Sequence, residues 1–149
     1  MRVLSSLLPL LILSACGTQF PQMAQRAPLR SPLQAMRATT PRAVTTISVA
    51  EAHQWLADPN ASWKLIDVRT PEEFAQGHLQ EAALMNFYDA DFREKLLNMD
   101  RNQPYIIYCR SGNRSGKALA MMRELGFRNA YDIQGGILAW QAAGFAVVK

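Results

Sequence analysis

The chain has 149 residues, of which 49% are hydrophobic and 19% are charged. This length fits about one domain, and the composition is that of a folded protein rather than a disordered one. The net charge of +4 is uneven, because residues 1–46 contain five arginines and no acidic residue, whereas residues 47–149 contain 11 lysines and arginines against 12 acidic residues. The folded part therefore has no overall attraction for polyanions, and nucleic acid is excluded as the main partner.

A signal-peptide pattern occupies the beginning of the chain. Residues 3–13 are apolar apart from two serines and a proline, which is too short for a membrane span of about 20 residues but suits the apolar region of a signal peptide. The stretch ends in Leu-Ser-Ala before Cys16, and this resembles the lipobox of bacterial lipoproteins. The resemblance implies that residues 1–15 are cleaved off and that Cys16 is lipidated, which would anchor the protein to a membrane. The alternative is an ordinary cleaved leader.

A flexible tether is predicted to follow the leader. Gly17 stands next to Cys16 in place of an aspartate, and in bacteria with two membranes the lipoprotein resemblance then implies the periplasmic face of the outer membrane. Residues 16–46 contain four prolines and four arginines but no apolar period, which is typical of a tether. The arginines could contact anionic lipid headgroups, or the segment could be a solvated spacer.

Strand-like and helical patterns alternate in the rest of the chain. Ser48 and Glu51 form a capping-box pattern, which predicts the start of a helix. We expect this helix to run through Ala57 and to bury Trp55 and Leu56.

A second helix is predicted between two short strands. Residues 63–68 and 82–87 are the apolar runs that favour the strands. Between them, residues 70–73 combine a threonine cap, a proline in the first turn and a glutamate at the third position, and Gly77 is expected to end the helix. The pattern of residues 91–99 predicts one more helix. Its inward side chains are predicted to be Phe92, Leu96 and Leu97.

The strongest strand signal in the chain lies at residues 105–108 and leads directly to Cys109. A polar loop, residues 110–114, follows this cysteine. A helix is then predicted to begin at Ser115 and to end at Gly126. The apolar face of this helix is predicted to consist of Ala118, Leu119, Met122 and Leu125.

A last strand is predicted at residues 130–133, and the glycine pair 135–136 leads into a final helix that carries Ile137, Leu138 and Trp140. Alternating strands and helices favour an α/β domain. The sequence therefore predicts one domain, residues 47–149, with a largely parallel central sheet flanked by helices.

The loop after Cys109 is expected to activate its thiol. The thiolate is the nucleophile, and a free cysteine is mostly protonated at neutral pH. A loop that closes onto a helix start directs several backbone N–H groups at one point. Gly112 allows a tight turn, Asn113 tolerates a positive φ, and Arg110 and Arg114 add two positive charges. Such a loop should bind anions and lower the pKa of Cys109. The alternative is that Cys109 is a structural cysteine buried in the core.

The sequence Tyr-Cys-Arg-Ser-Gly-Asn-Arg-Ser at residues 108–115 resembles the active-site loop of single-domain rhodaneses. Further motifs stand in the order of that family and extend the resemblance over residues 47–149. They are Asp67-Val68-Arg69, Pro71-Glu72-Glu73-Phe74, Gly77-His78, Gly135-Gly136-Ile137 and Trp140.

The resemblance implies a rhodanese-like fold and a sulfurtransferase activity. Cys109 would take sulfane sulfur from a small anionic donor such as thiosulfate, carry it as a persulfide, and pass it to cyanide or a thiol. This exchange follows the chemistry of thiol–disulfide exchange and needs no cofactor and no metal. The residues expected to bind the substrate are Arg110, Ser111, Gly112, Asn113, Arg114 and Ser115.

Four residues outside the loop are expected to support the site rather than to react. They are Asp67, Arg69, Glu73 and His78. We expect an ion pair between Arg69 and Glu73 and a hydrogen-bonded His78, and Trp140 is expected to pack in the core.

Two alternative functions remain open at this point, a phosphatase and a non-catalytic or carrier module, whereas a thiol–disulfide oxidoreductase is disfavoured because no second cysteine remains once Cys16 is lipidated. Dual-specificity phosphatases of this fold place an arginine after Cys and five further residues, whereas here Ser115 occupies that position and Arg114 comes one residue early. A thiol–disulfide oxidoreductase would normally have a second, resolving cysteine nearby. A non-catalytic rhodanese module that binds a partner, or a carrier that accepts persulfide from it, is the alternative from a different class.

Overall fold

The structure, a computed structural model, describes residues 43–149. The predicted signal peptide, Cys16 with its predicted lipidation and nearly all of the predicted tether lie outside the described residues. Among the helices of the described part, none has the length and apolar character that crossing a bilayer requires.

The centre of the domain is a five-stranded sheet in which every strand pair is parallel. The strands are β1 (Val44–Ile47), β2 (Lys64–Asp67), β3 (Ala83–Leu84), β4 (Tyr105–Tyr108) and β5 (Ala130–Ile133). Their order across the sheet is β1-β5-β4-β2-β3. This confirms the predicted α/β domain with a largely parallel sheet.

Within residues 43–149, five helices connect the strands and cover the sheet. They are α1 (Val49–Leu56), α2 (Pro71–Ala75), α3 (Phe92–Leu97), α4 (Asn113–Glu124) and α5 (Gly136–Ala142). The capping box predicted at Ser48 and the cap predicted at Thr70 are both present, since these side chains accept from the backbone N–H groups of Glu51 and Glu73. The local sequence therefore starts α1 and α2 where it was expected to do so.

The two faces of the sheet bury two apolar clusters, one on each side. One cluster joins the sheet to α3 and α4 and includes Ile107 and Cys109. The other joins it to α1 and α5 and includes Ile106 and Tyr108. Because successive strand residues point to opposite faces, β4 supplies both clusters, and all four of its residues are buried. Cys109 continues this alternation one residue beyond the strand.

Several predicted boundaries and burials are corrected by the structure. The sheet already includes Val44, so the predicted start of the domain at Ile47 cuts through β1. The strand predicted at residues 82–87 has two residues, because it lies at the sheet edge and pairs with β2 alone. Leu97, predicted to face inward, is 45% exposed.

Candidate active site

Cys109 lies at the carboxyl end of β4, which β2 and β5 flank in the sheet. Ligands of parallel α/β sheets bind at this end of the strands. The chain turns directly from Cys109 into the loop that precedes α4, and 1% of the cysteine is exposed. The predicted meeting of strand, loop and helix start at one thiol is confirmed.

Backbone N–H groups and a hydroxyl group contact the cysteine sulfur in a short, tight loop. The Gly112 N–H donates to Sγ at 3.1 Å, and the Ser115 hydroxyl donates to it at 3.4 Å. Burial tends to raise the pKa of the Cys109 thiol, but hydrogen bonds from the Ser115 side chain and from the amides of Ser115, Ser111 and Gly112 together lower it below its ordinary value. The arrangement therefore favours a thiolate that can act as a nucleophile.

The left-handed turn of the loop falls on Gly112, whose φ is +93°. Asn113, which was expected to tolerate a positive φ, instead begins α4. Arg110 and Ser111 are exposed beside the sulfur, and Arg110 forms no ion pair with another residue of the range 43–149. Of the two positive charges that the sequence predicted for this loop, Arg110 is the one that forms no ion pair within the described residues.

The start of α5 holds the loop from the other side. The Ile137 N–H donates to the Cys109 carbonyl at 2.9 Å, and the Leu138 N–H donates to the Arg110 carbonyl at 3.1 Å. Gly136, with a φ of +59°, lies so close to this backbone that a Cβ atom there would contact the Cys109 carbonyl oxygen and lie 2.8 Å from the Arg110 carbonyl carbon. A glycine at position 136 therefore allows the close approach of α5 that holds the backbone of the nucleophile.

Arg114 is bound to Glu73 rather than free. Its guanidinium donates to both carboxylate oxygens at 2.6 and 2.7 Å, and it lies over the Tyr88 ring at 5.6 Å from the ring centroid. This geometry lowers the pKa of Glu73 to about 2. The charge of Arg114 is thus largely compensated, and the pair fixes the start of α4 to α2.

The predicted ion pair between Arg69 and Glu73 is wrong. Arg69 instead donates to Asp67 at 2.6 Å and to the Gly77 carbonyl at 2.7 Å. Both members of this pair are buried, with Asp67 0% and Arg69 5% exposed, and Arg69 also lies over the Tyr108 ring. These contacts tie β2 to the turn after α2, which agrees with the predicted supporting role.

His78 and Trp140 hold the edges of the domain together. The His78 ring stacks on Phe74 with 3.7 Å between centroids, and its Nδ1 lies 3.1 Å from the Phe74 carbonyl. Its backbone pairs with Val148 through two hydrogen bonds of 2.8 Å. Trp140 is 6% exposed and donates to the Ala146 carbonyl, so the predicted core packing of Trp140 is confirmed.

Asp132 is a buried carboxyl near the site that the sequence analysis did not single out. It lies on β5, is 4% exposed, and its pKa is raised to about 6, mainly by burial. In the described part of the chain no three histidine, cysteine, aspartate or glutamate side chains gather as metal ligands. Asp132 therefore belongs to no metal-ligand cluster of the described residues, and its carboxyl group interacts with the Ser115 side chain.

The ion pair between Glu73 and Arg114 should make the stability of the domain depend on pH in the acid range. Its pKa lies below that of an unfolded glutamate, so its stabilising contribution is present above about pH 4.5 and is lost as the pH falls towards about 2. Glu73→Gln should lower the free energy of unfolding by roughly 1–3 kcal/mol at neutral pH, and the difference should shrink near pH 3. Urea unfolding at both pH values measures it. Glu94→Gln, at an exposed site on α3, is the matched control, and an equal effect of both variants would contradict the role of the ion pair.

The fold and the site together define a class of protein: a parallel α/β domain that presents a cysteine in an anion-binding loop at the end of a central strand. A family model described as the rhodanese-like domain matches residues 48–143, and the chain belongs to this family.

Curated relatives are similar to this chain over more than half of its length. A sulfurtransferase from Allochromatium vinosum is 37% identical over 84 residues, which cover 56% of this chain and 77% of that protein. Thiosulfate sulfurtransferase 16, chloroplastic, of Arabidopsis thaliana is 34% identical over 113 residues, which cover 69% and 92%. The probable adenylyltransferase/sulfurtransferase MoeZ of Mycobacterium tuberculosis is 36% identical over 96 residues, and the match spans 64% of this chain and 24% of the length of MoeZ.

Solved structures agree with the fold. A rhodanese-related protein from Thermoplasma volcanium has a TM-score of 0.61 at 28% identity, covering 70% of this chain and 97% of its own. A rhodanese-like domain protein from Staphylococcus aureus has a TM-score of 0.57 at 29% identity, covering 64% and 90%. The predicted rhodanese-like fold is thus confirmed.

Proposed function

We propose that the protein is a sulfurtransferase that moves sulfane sulfur from a small anionic donor, such as thiosulfate, through a persulfide on Cys109 to cyanide or a thiol. The observation that carries the proposal is the Cys109 sulfur held between the Gly112 N–H and the Ser115 hydroxyl at the end of β4. The sulfurtransferase names of the relatives support the same class of reaction.

The first step is an attack of the Cys109 thiolate on the outer sulfur of thiosulfate. A new S–S bond forms at Sγ, the S–S bond of thiosulfate breaks, and sulfite leaves with the bonding electron pair. The loop amides that lower the pKa of the thiol also face the negative charge of the persulfide, and this supports its accumulation. Because Cys109 is almost completely buried, a small donor reaches its sulfur more easily than a bulky one.

The second step regenerates the thiolate. Cyanide, or the thiolate of an acceptor, attacks the outer sulfur of the persulfide, the S–S bond breaks, and Cys109 leaves as the thiolate. Cyanide becomes thiocyanate, and a thiol becomes a persulfide. All electrons stay within the reacting sulfur atoms and the acceptor, so neither step requires an external oxidant or reductant.

The direct test is mass spectrometry of the full chain after incubation with thiosulfate. We expect a mass increase of one sulfur atom on the peptide that contains Cys109, and loss of that sulfur when cyanide is added. A carrier that takes persulfide from a partner protein would show no increase with thiosulfate alone. A phosphatase would instead release phosphate from aryl phosphates, so that result together with an unmodified Cys109 would overturn the proposal.

Arg110 is expected to attract the donor. It is exposed and lacks an ion pair within residues 43–149, so its charge acts on anions through solvent and is screened by salt. Arg110→Ala should raise the KM for thiosulfate by about three- to tenfold at low ionic strength and reduce its salt dependence. Arg128→Ala is the matched control, because Arg128 is exposed before β5, at the opposite end of the sheet. Equal KM values for the Arg110 and Arg128 variants would contradict this role.

The place of this activity is a separate proposal that rests on the sequence pattern around Cys16. We propose that the protein is an exported lipoprotein, anchored at the periplasmic face of the outer membrane by its amino-terminal lipid. The domain assignment does not depend on this anchor.

A further inference from the structure

Asp132 occupies an unusual position for a carboxyl group. It lies in β5, between β4 and β1, where its register partners are Ile107 and Thr46. It is 4% exposed, and a buried carboxylate without a partner is unfavourable. Asp132 is two residues after Ala130 in β5 and therefore lies on the same face of the sheet. Ala130 packs in the cluster that contains Cys109. Asp132 therefore points towards the side of the sheet covered by α4.

The carboxyl group of Asp132 meets the first turn of α4. A Cβ atom on Gly116 would lie 3.9 Å from Oδ2, and Ser115 is the side chain that partly offsets the effect of burial on the Asp132 pKa. Oδ1 has no hydrogen-bond partner among the described residues. A protonated carboxyl can use its O–H to fill such a gap, whereas a carboxylate cannot.

Ser115 stands between this carboxyl and the cysteine. The residue is fully buried, and its hydroxyl lies 3.4 Å from Cys109 Sγ. A hydroxyl has one proton to donate but can accept a second hydrogen bond. When Asp132 is protonated, it can donate to Ser115, and Ser115 donates to the sulfur. When Asp132 is ionised, it competes with the sulfur for the same serine proton.

We propose that Asp132 is a positioning residue for Cys109, which acts through Ser115 by deciding whether the serine hydroxyl donates to the sulfur or to the carboxylate. The proposal rests on the proposed function, because it takes Cys109 as the reacting sulfur. It adds that the protonation state of Asp132 affects the pH at which the Cys109 thiolate forms.

The residues packed against Asp132 carry no charge, and the Ser115 side chain connects Asp132 to Cys109. Thr46 from β1, Ile107 from β4 and Gly116 from α4 carry no charge, and Ser115 carries none. Arg114, on the same helix, is directed to Glu73 and interacts electrostatically with Cys109. Because both groups draw on the same serine proton, thiolate formation and ionisation of Asp132 oppose each other.

Asp132→Asn in the full chain tests this coupling. The amide is neutral at every pH and donates N–H to Ser115, as a protonated carboxyl does. We expect the pH midpoint of Cys109 alkylation by iodoacetamide to fall by at least about half a unit, because a nearby negative charge is removed. Mass spectrometry of the Cys109 peptide keeps Cys16 out of the measurement. An unchanged midpoint in a folded variant would overturn the proposal.

Two further variants separate charge from hydrogen bonding. Asp132→Val removes the charge but cannot donate to Ser115, so its midpoint should fall less than that of Asp132→Asn, and it serves as the test if the asparagine variant does not fold. Asp100→Asn, at an exposed site before β4, is the charge control and should leave the midpoint unchanged.

The route through Ser115 is tested in the Ser115→Ala background. There, Asp132→Asn should shift the midpoint by less than half of its effect in the wild type. A full shift in this background would mean that Asp132 acts by charge alone and would overturn the positioning role. Alkylation uses no sulfur donor, so a midpoint shift in a protein that fails to turn over thiosulfate would refute the proposed function and leave the coupling intact.

Discussion

Cys109→Ser should reduce sulfur transfer from thiosulfate by at least about a thousandfold, because loss of a covalent nucleophile removes the whole reaction path. A serine hydroxyl does not ionise near neutral pH and cannot carry sulfur as a persulfide. A serine side chain is similar in size to cysteine, and its hydroxyl would lie beside the same Gly112 N–H and Ser115 hydroxyl as the sulfur does. The domain should therefore keep its fold while it loses the reaction.

The measurement is thiocyanate formation from thiosulfate and cyanide, with thermal unfolding as the check on folding. Cys16→Ser is the matched control, because it makes the same chemical change at the other cysteine of the chain. We expect the control to keep the turnover of the wild type per molecule. A Cys109→Ser protein that retains turnover within about tenfold of the wild type would exclude Cys109 as the nucleophile.

Much of the fold could be predicted because its elements carry local signals. The capping boxes at Ser48 and Thr70 start α1 and α2 where the structure has them, since a cap depends on residues three positions apart. The length of β3 could not be predicted, because it depends on which residues of β2 lie opposite the edge strand. Leu97 shows the same limit, because an apolar side chain on a short helix can face solvent.

The loop around Cys109 could be predicted because its residues are contiguous. Its connection to the rest of the domain could not, since Arg114 and Glu73 are 41 positions apart in the sequence. The spacing of four between Arg69 and Glu73 resembles that of a helical ion pair, but this rule requires both residues on one helix. Arg69 precedes the cap of α2, so its side chain turns back to Asp67 instead.

The position of Asp132 in its strand could have indicated a special role from the sequence. An aspartate between Tyr131 and Ile133 lies in a strand that is buried on both faces. Burying its carboxyl group costs free energy unless the group is protonated or has a partner. The apolar pattern of the strand identified the element and left its one acidic member unexplained. Buried carboxyl groups at the edge of a reactive site are candidates for control of its titration.

Gly136→Ala is expected to have the largest effect on stability of any conservative change near the site. The new methyl group would contact the Cys109 carbonyl oxygen and lie 2.8 Å from the carbonyl carbon and oxygen of Arg110, and these are backbone atoms that cannot rotate away. The residue also has a φ of +59°, which disfavours a side chain. We expect a loss of about 3 kcal/mol or more in the free energy of unfolding, and a large loss of thiosulfate turnover in the fraction that remains folded.

Gly144→Ala provides the matched control for this prediction. Gly144 also has a positive φ, +80°, but a Cβ atom there would meet nothing within 4 Å. Its substitution should cost about 1 kcal/mol, from backbone conformation alone, and leave turnover unchanged. The difference between the two variants in urea unfolding therefore measures the close approach of α5 to the loop. If both variants lose the same free energy, then Gly136 serves only the turn, and the contact that holds the nucleophile must lie elsewhere.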